Sequence, residues 1–339
     1  MTTIKEIARL AGVSATTVSN VINGNTSHTS YDTIVKVKKI IAEKKYVPNM
    51  GAMIVAHSFS RIIGIVLQYA ANSPVKPFID PFEGELVSTL EEEIRKNGYY
   101  TMLYVAETAD EIINFAATWK IDGLIVIGLH ANERRQLCAH TDRPVVCIDS
   151  FLASNETEYY NVGLKDMDGC RDMTNYLISL GHTKIAFLAD QVKPHGIYRL
   201  RLNGVKAAFK ENGLAFAEKN FIKIPRNKAA RHAVYDALLA KKNEYTALFF
   251  VSDYFAADAV MYFKSKSISI PEDFSIAGFD DNMYSQIVTP KITTVHQDVP
   301  KKGTLAIQML IKLMKKETVD EKNIQLNTSL VIRESTCAV

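Results

Sequence analysis

A chain of 339 residues, 47% of them hydrophobic, exceeds one compact domain, so two or three units with real cores are expected. The net charge of +3 is unevenly placed: residues 1–60 carry seven Lys/Arg against three Asp/Glu, or +4, and the remainder carries 33 against 34, or −1. No apolar stretch of about 18 residues would span a membrane and no secretion signal opens the chain. Cys138, Cys147, Cys170 and Cys337 lack metal-ligand spacing, so a soluble, cytoplasmic protein with free thiols and no metal or cofactor is expected.

Residues 3–23 predict two short helices around a tight turn. Thr3 caps the first, with Glu6 completing a capping box, and Ile4, Ile7, Ala8 and Ala11 form an apolar stripe. Gly12 ends that helix, Ser14 caps the next, and Val18, Val21 and Ile22 recur at helical spacing. The opposite face, Ala15, Thr16, Thr17, Ser19 and Asn20, is small and polar, which suits entry into a DNA major groove. An ordinary helical hairpin is the alternative, but caps, turn and outer face agree with one another in favour of the groove reader. His28-Thr29-Ser30 leads into a third helix, where Ile34, Val37, Ile40 and Ile41 close a small core and Lys36, Lys38, Lys39, Lys44 and Lys45 surround it. Such a basic head on a near-neutral body fits nucleic-acid binding. Residues 46–61 read as a connector, in which Pro48 stops the third helix and Asn49 caps a short helix that is marginal in isolation.

From Ile62 the pattern becomes apolar strands alternating with amphipathic helices. Strands are expected at 62–67, 100–105, 123–127, 145–149, 184–189, 221–224, 247–251 and 275–279. Helices are expected at 84–97, 110–119, 168–180, 199–212, 229–240 and 256–265. This alternation predicts two doubly wound lobes with parallel sheets, and a small-molecule cleft beyond the carboxyl ends of the strands.

Residues 13–24, followed by Tyr46-Val47-Pro48-Asn49, resemble the head of the lactose-repressor and galactose-repressor (LacI/GalR) family. The likeness continues through Leu180-Gly181-His182-Thr183-Lys184-Ile185-Ala186, Arg201-Leu202-Asn203-Gly204, Ile270-Pro271-Glu272-Asp273, Ala277-Gly278-Phe279-Asp280-Asp281, Pro290-Lys291-Ile292-Thr293-Thr294-Val295 and Arg333-Glu334-Ser335-Thr336. The resemblance implies a dimeric transcription factor with an all-α helix-turn-helix head and an α/β periplasmic-binding-protein-like body of two doubly wound lobes. It assigns residues 1–45 to the head, 46–61 to a hinge helix, 62–162 and 291–322 to the N-terminal lobe, and 163–290 and 323–339 to the C-terminal lobe. The chain would thus cross between lobes near 162, 290 and 322.

By the same resemblance Ala15, Thr16 and Asn20 read base edges. Relatives often carry arginine at the last position; asparagine pairs instead with adenine N6 and N7, which shifts the expected operator preference. Thr17, Ser19, Asn23, His28 and Ser30 are expected to grip phosphates. Residues 49–56 should become helical on the operator, with Asn49, Ala52 and Val55 facing DNA and Val55 as the apolar wedge where relatives carry leucine. A flexible tether without a wedge is the alternative, since Gly51 costs about 1 kcal/mol in a helix interior.

A sugar site needs a donor fork, carboxylate acceptors and an aromatic wall. Arg201 matches the family's ligand arginine, Asp280 and Asp149 end strands, and Ser252 and Asp253 stand where relatives usually show Asn-Asp. The loop 68–82 brings Tyr69, Phe78 and Phe82 as a candidate wall. The expected function is a regulator, most simply a repressor of carbohydrate uptake or catabolism genes released from operator DNA by a bound sugar. A ligand acting as corepressor, in the manner of purine repressors, uses the same parts. An enzyme is disfavoured because no glycine-rich phosphate loop, nucleophile elbow or metal cluster is present, and a transport receptor has no use for a DNA-reading head.

Overall fold

The computed structural model describes residues 2–22, 24–47, 59–69, 78, 81–129, 131–150, 159–190, 196–241 and 243–339. The chain divides into two compact units, Met1–Ser60 and Arg61–Val339. In the first, α1 (Ile4–Ala11), α2 (Ala15–Ile22) and α3 (Tyr31–Glu43) enclose Ile7, Ala8, Ala11, Val18, Val21 and Val37. The Thr3 hydroxyl accepts the Glu6 N–H at 3.3 Å, whereas no return bond from Glu6 to the Thr3 amide is present among the described residues, so half of the expected capping box forms. Gly12 takes φ 69° and its N–H reaches the carbonyls of Ala8 and Arg9, turning the chain directly into α2. There the Ser14 hydroxyl accepts the Thr17 N–H at 3.0 Å, and the Ser30 hydroxyl accepts the Thr33 N–H at 3.4 Å at the start of α3.

The second unit runs β1 (Ile62–Gln68), α4 (Pro81–Lys96), β2 (Tyr100–Ala106), α5 (Ala109–Thr118), β3 (Gly123–Ile127), α6 (Ala131–His140), β4 (Val145–Ile148) and β5 (Tyr160–Leu164). It continues α7 (Asp166–Ser179), β6 (Ile185–Ala189), α8 (Ile197–Glu211), β7 (Phe221–Lys223), α9 (Lys228–Ala240), β8 (Ala247–Phe250), α10 (Asp253–Ser265), β9 (Ser275–Asp280) and α11 (Met283–Ile287). The last elements are β10 (Thr293–His296), α12 (Val299–Met314), β11 (Asn323–Leu326) and β12 (Ser329–Val331).

Two six-stranded sheets result. The first has the order β11-β5-β4-β3-β1-β2 and is parallel throughout; the second has the order β12-β10-β9-β8-β6-β7, with β12 alone antiparallel. The central strands are buried on both faces, as parallel strands clothed by helices must be. Each lobe therefore has its own core: Ile63, Leu90, Ile125 and Leu310 in the first, Phe187, Phe209, Phe249 and Phe279 in the second.

The expected alternation is present, with α6, β5, β10, α11, α12, β11 and β12 added to it. The three crossings move. β5 stays in the first sheet as far as Leu164, so the chain leaves after 164 rather than near 162. Thr293–His296 pairs in register with β9, which keeps it in the second lobe and places the return after 296, not near 290. β11 pairs with β5, so the final crossing follows 326 rather than 322. In each case the backbone ladder fixes the lobe.

Candidate functional site

Two sets of residues carry the expected chemistry. On the first unit, Ala15 and Thr16 are exposed at the opening turn of α2, Asn20 lies half-buried one turn on, and Lys36, Lys38, Lys39, Lys44 and Lys45 are exposed. His28 is exposed, and Ser19 is half-buried. Thr17 and Ser30 are already engaged locally: the Thr17 hydroxyl pairs with Ser14 Oγ at 2.9 Å, and the Ser30 hydroxyl donates to Thr33 Oγ1 at 2.9 Å. Asn23, Asn49, Ala52 and Val55, with Gly51, lie outside the described residues.

The second set lies between the carboxyl ends of the two sheets, around a cavity of about 210 Å³ lined by Tyr69, Phe82, Glu83, Asp149, Ile197, Tyr198, Arg201, Arg226, Ser252, Asp280 and Gln297. Five of the six expected effector residues meet there: Phe82, Asp149, Arg201, Ser252 and Asp280. Asp149 follows β4 with φ 53° and Asp280 ends β9 with φ 113°, left-handed backbone that aspartate tolerates better than most residues. Strand ends thus present both carboxylates to one space.

Arg201 enters from α8 and is buried. Its Nε donates to Asp166 Oδ1 at 2.8 Å and its Nη1 to the Val251 carbonyl at 2.6 Å, while Nη1 stands 3.7 Å from Asp280 Oδ1. The guanidinium lies 3.5 Å from the centre of the Phe279 ring. Burial works against the charge, and Asp166 followed by Asp280 overcomes it, so the group is held above the usual arginine value. Burial in turn raises the Asp166 carboxyl, with the Arg201 charge opposing the rise. The expected fork is therefore partly used by the protein; Nη2 has no protein partner among the described residues.

Gln297, Lys302 and Asp166 were not anticipated. Lys302 is fully buried on the first turn of α12 and donates to both Asp149 oxygens at 2.8 Å and to Gln297 Oε1 at 2.9 Å. The Gln297 amide then donates to Asp280 Oδ1 at 2.7 Å. A lysine on a largely apolar helix reads locally as a solvated side chain, and the tertiary fold alone reveals its partner.

Asp253 does not line the cavity. It is fully buried at the start of α10, where it accepts from the Thr294 hydroxyl at 2.6 Å and from the Asn282 N–H at 3.0 Å. Burial, then the nearby Asp280 charge, raises its carboxyl well above the usual range. Its position in the sequence beside Ser252 suggested a ligand contact, but a helix start turns successive side chains in different directions. Phe78 is also absent from the lining; its N–H donates to Glu83 Oε2 at 2.9 Å, and Tyr69 hydrogen-bonds the other oxygen of Glu83.

Other resembling stretches brace the second lobe. His182 bonds Thr246 Oγ1 at 2.8 Å through Nδ1 and the Cys337 carbonyl at 3.0 Å through Nε2. Since a carbonyl only accepts, Nε2 carries the proton. Arg333 donates to Asp281 Oδ1 at 2.5 Å and to the Ile292 carbonyl at 2.9 Å, tying the C-terminal segment to the Asp280-Asp281 turn.

Residues 3–49 match the family described as bacterial regulatory proteins, lacI family, and residues 174–336 match the periplasmic binding protein-like domain. Over 343 residues the chain is 30% identical to the HTH-type transcriptional repressor PurR of Vibrio atlanticus (strain LGP32), covering 99% of this chain and 98% of the relative. The chain belongs to the LacI family of bacterial regulatory proteins. It is 29% identical over 340 residues to the HTH-type transcriptional regulator MalR of Clostridium butyricum, covering 98% of each. Among solved structures, the transcriptional regulator CelR–cellobiose complex is 26% identical with a TM-score of 0.72, covering 99% of this chain and 100% of the other. The Lac repressor dimer bound to operator and the anti-inducer ONPF, at 24% identity, shares the fold with a TM-score of 0.84 and 99% of each chain covered. As a LacI-family member the chain is a transcriptional regulator with a helix-turn-helix head and a ligand-binding body. No helix among its described residues is long and apolar enough to cross a membrane.

Proposed function

We propose that this LacI-family regulator represses carbohydrate uptake or catabolism genes in the cytoplasm, without catalytic turnover, and that a sugar bound between its lobes releases it from operator DNA. One observation carries the reading: Tyr69, Phe82 and Tyr198 share a cavity with Asp149, Asp280 and Arg201. Aromatic faces stack on the C–H side of a sugar ring, paired carboxylates accept from adjacent hydroxyls, and a guanidinium donates back. The CelR relative, solved as a complex with cellobiose, supports the same ligand class.

Ala15, Thr16 and Asn20 read base edges, and Thr17, Ser19, Asn23 and His28 fix the register on phosphates. Ser30 acts through the start of α3, where backbone N–H groups and the helix dipole favour an anion. Asn49, Ala52 and Val55 form the connector's contact with DNA. The protein works as a homodimer: β2 is an edge strand with Tyr100, Leu103 and Val105 exposed, and Met261, Met283 and Ile287 are exposed on the second lobe, apolar surface that a second copy covers. A sugar that prefers one lobe arrangement shifts the dimer toward it and changes operator affinity by the same differential free energy.

Fluorescence-anisotropy titration of promoter fragments, repeated with saturating mono- and disaccharides, tests this. The expected result is promoter preference over random DNA and a sugar that lowers it. A sugar that raises affinity assigns the corepressor sign, and absence of promoter preference with every sugar overturns the proposal.

A further inference from the structure

The ammonium of Lys302 has three protons and three acceptors, two on Asp149 at 2.8 Å and one on Gln297 at 2.9 Å. It lies 5.1 Å from the centre of the Phe82 ring and its side chain is 1% exposed. No proton is left for a ligand. The Gln297 amide has one orientation that serves both neighbours, with its oxygen toward the ammonium and its nitrogen toward Asp280.

These contacts form a chain of alternating charge that crosses the cleft. Asp149 and Lys302 belong to the first lobe, Gln297 sits at the second crossing, and Asp280, Arg201 and Asp166 belong to the second lobe. We propose that Lys302 is a positioning residue of the effector site: it occupies Asp149 as an internal ligand and, through Gln297, holds Asp280 so that the two carboxylates are set relative to each other before any effector arrives. The assignment rests on the reading of Asp149 and Asp280 as the effector's acceptors. Lys302 thus sets the resting lobe geometry rather than binding the effector. Without it, Gln297 keeps its bond to Asp280 but loses its anchor on the first lobe.

The test uses the full-length protein without any sugar. In the charge-balanced variant Asp149→Asn/Lys302→Met, no uncompensated carboxylate remains at position 149, so a fold that needed only neutralisation is preserved. The expected result is a cooperative melt near that of the wild type, a larger radius of gyration by small-angle X-ray scattering, and amide exchange at residues 279–283 and 297–303 faster by about tenfold or more. A folded variant with wild-type exchange and radius of gyration overturns the proposal and leaves Lys302 as a neutralising partner of Asp149. Should that variant fail to fold, Gln297→Leu keeps both charges and cuts only the bridge. The same loosening is expected there, and wild-type exchange in it overturns the proposal. Because no readout contains a sugar, a carbohydrate panel that shifts no melting temperature would sink the effector reading alone.

Discussion

At the scale of single residues, two aspartates beside the cavity carry opposite roles. Asp280 lines it, whereas Asp253 is a buried acceptor for Thr294 and Asn282. Asp253→Ala leaves those donors unpaired, so a loss of about 1–3 kcal/mol in urea unfolding is expected, with the sugar response retained. Arg201→Ala is expected to cost more, about 3–5 kcal/mol, because it strands the buried Asp166 carboxylate, and it should abolish the sugar response as well. His182 gives a pH dependence of definite sign. Burial lowers its pKa from the ordinary 6.5 despite the Cys337 carbonyl, so the unfolded chain takes up the proton first as the pH falls. Its contribution is complete above about pH 6.5 and is lost as pH drops through the folded-state value. The stability difference between wild type and His182→Gln, measured by urea unfolding, should therefore shrink between pH 7.5 and pH 5, conditions spanning about the ordinary histidine pKa. Sequence placed the acids Asp149 and Asp280 at strand ends because that position follows from a local pattern, but it grouped Asp253 with them. The role of Asp253 depends on Thr294 and Asn282, which are remote in sequence, and no local signal carried it.

At the scale of elements, the caps are where sequence and structure agree most closely. Ser14 and Gly12 act within one helical turn of themselves, so their roles need no tertiary context. Ser14→Ala should destabilise the head by about 1 kcal/mol and weaken operator binding through a frayed first turn of α2, visible in circular dichroism and anisotropy. The α7–α8 pair depends instead on close approach: a Cβ on Gly204 would stand 2.1 Å from the Met167 carbonyl oxygen. Gly204→Ala is expected to push the helices apart and lower stability by about 1–3 kcal/mol in thermal melts, with Arg201 displaced on the same helix. The crossings implied by the resemblance, near 162, 290 and 322, lie two to six residues before the points at which the strand ladders let the chain change sheets.

At the scale of the whole molecule, a basic head and a near-neutral body divide DNA reading from ligand sensing. On the proposed reading, base preference belongs to the face of α2 that carries Ala15, Thr16 and Asn20. Replacing Asn20→Arg should move the preferred base from adenine to guanine, with discrimination of about 1–3 kcal/mol in a base-resolved binding selection; an unchanged preference would remove Asn20 from base reading. The sequence by itself determined the capped helix-turn-helix, the strand–helix alternation and the strand-end acids Asp149 and Asp280 that line the cavity. Those features are written in local capping, in hydrophobic period and in the rule that ligands meet strand ends. Only the tertiary structure decided that Lys302 closes on Asp149, that Gln297 bridges to Asp280 and that Asp253 turns away from the cavity. Each of these depends on contacts between residues 17 to 153 positions apart, where burial leaves a charge no choice but the partner the fold supplies.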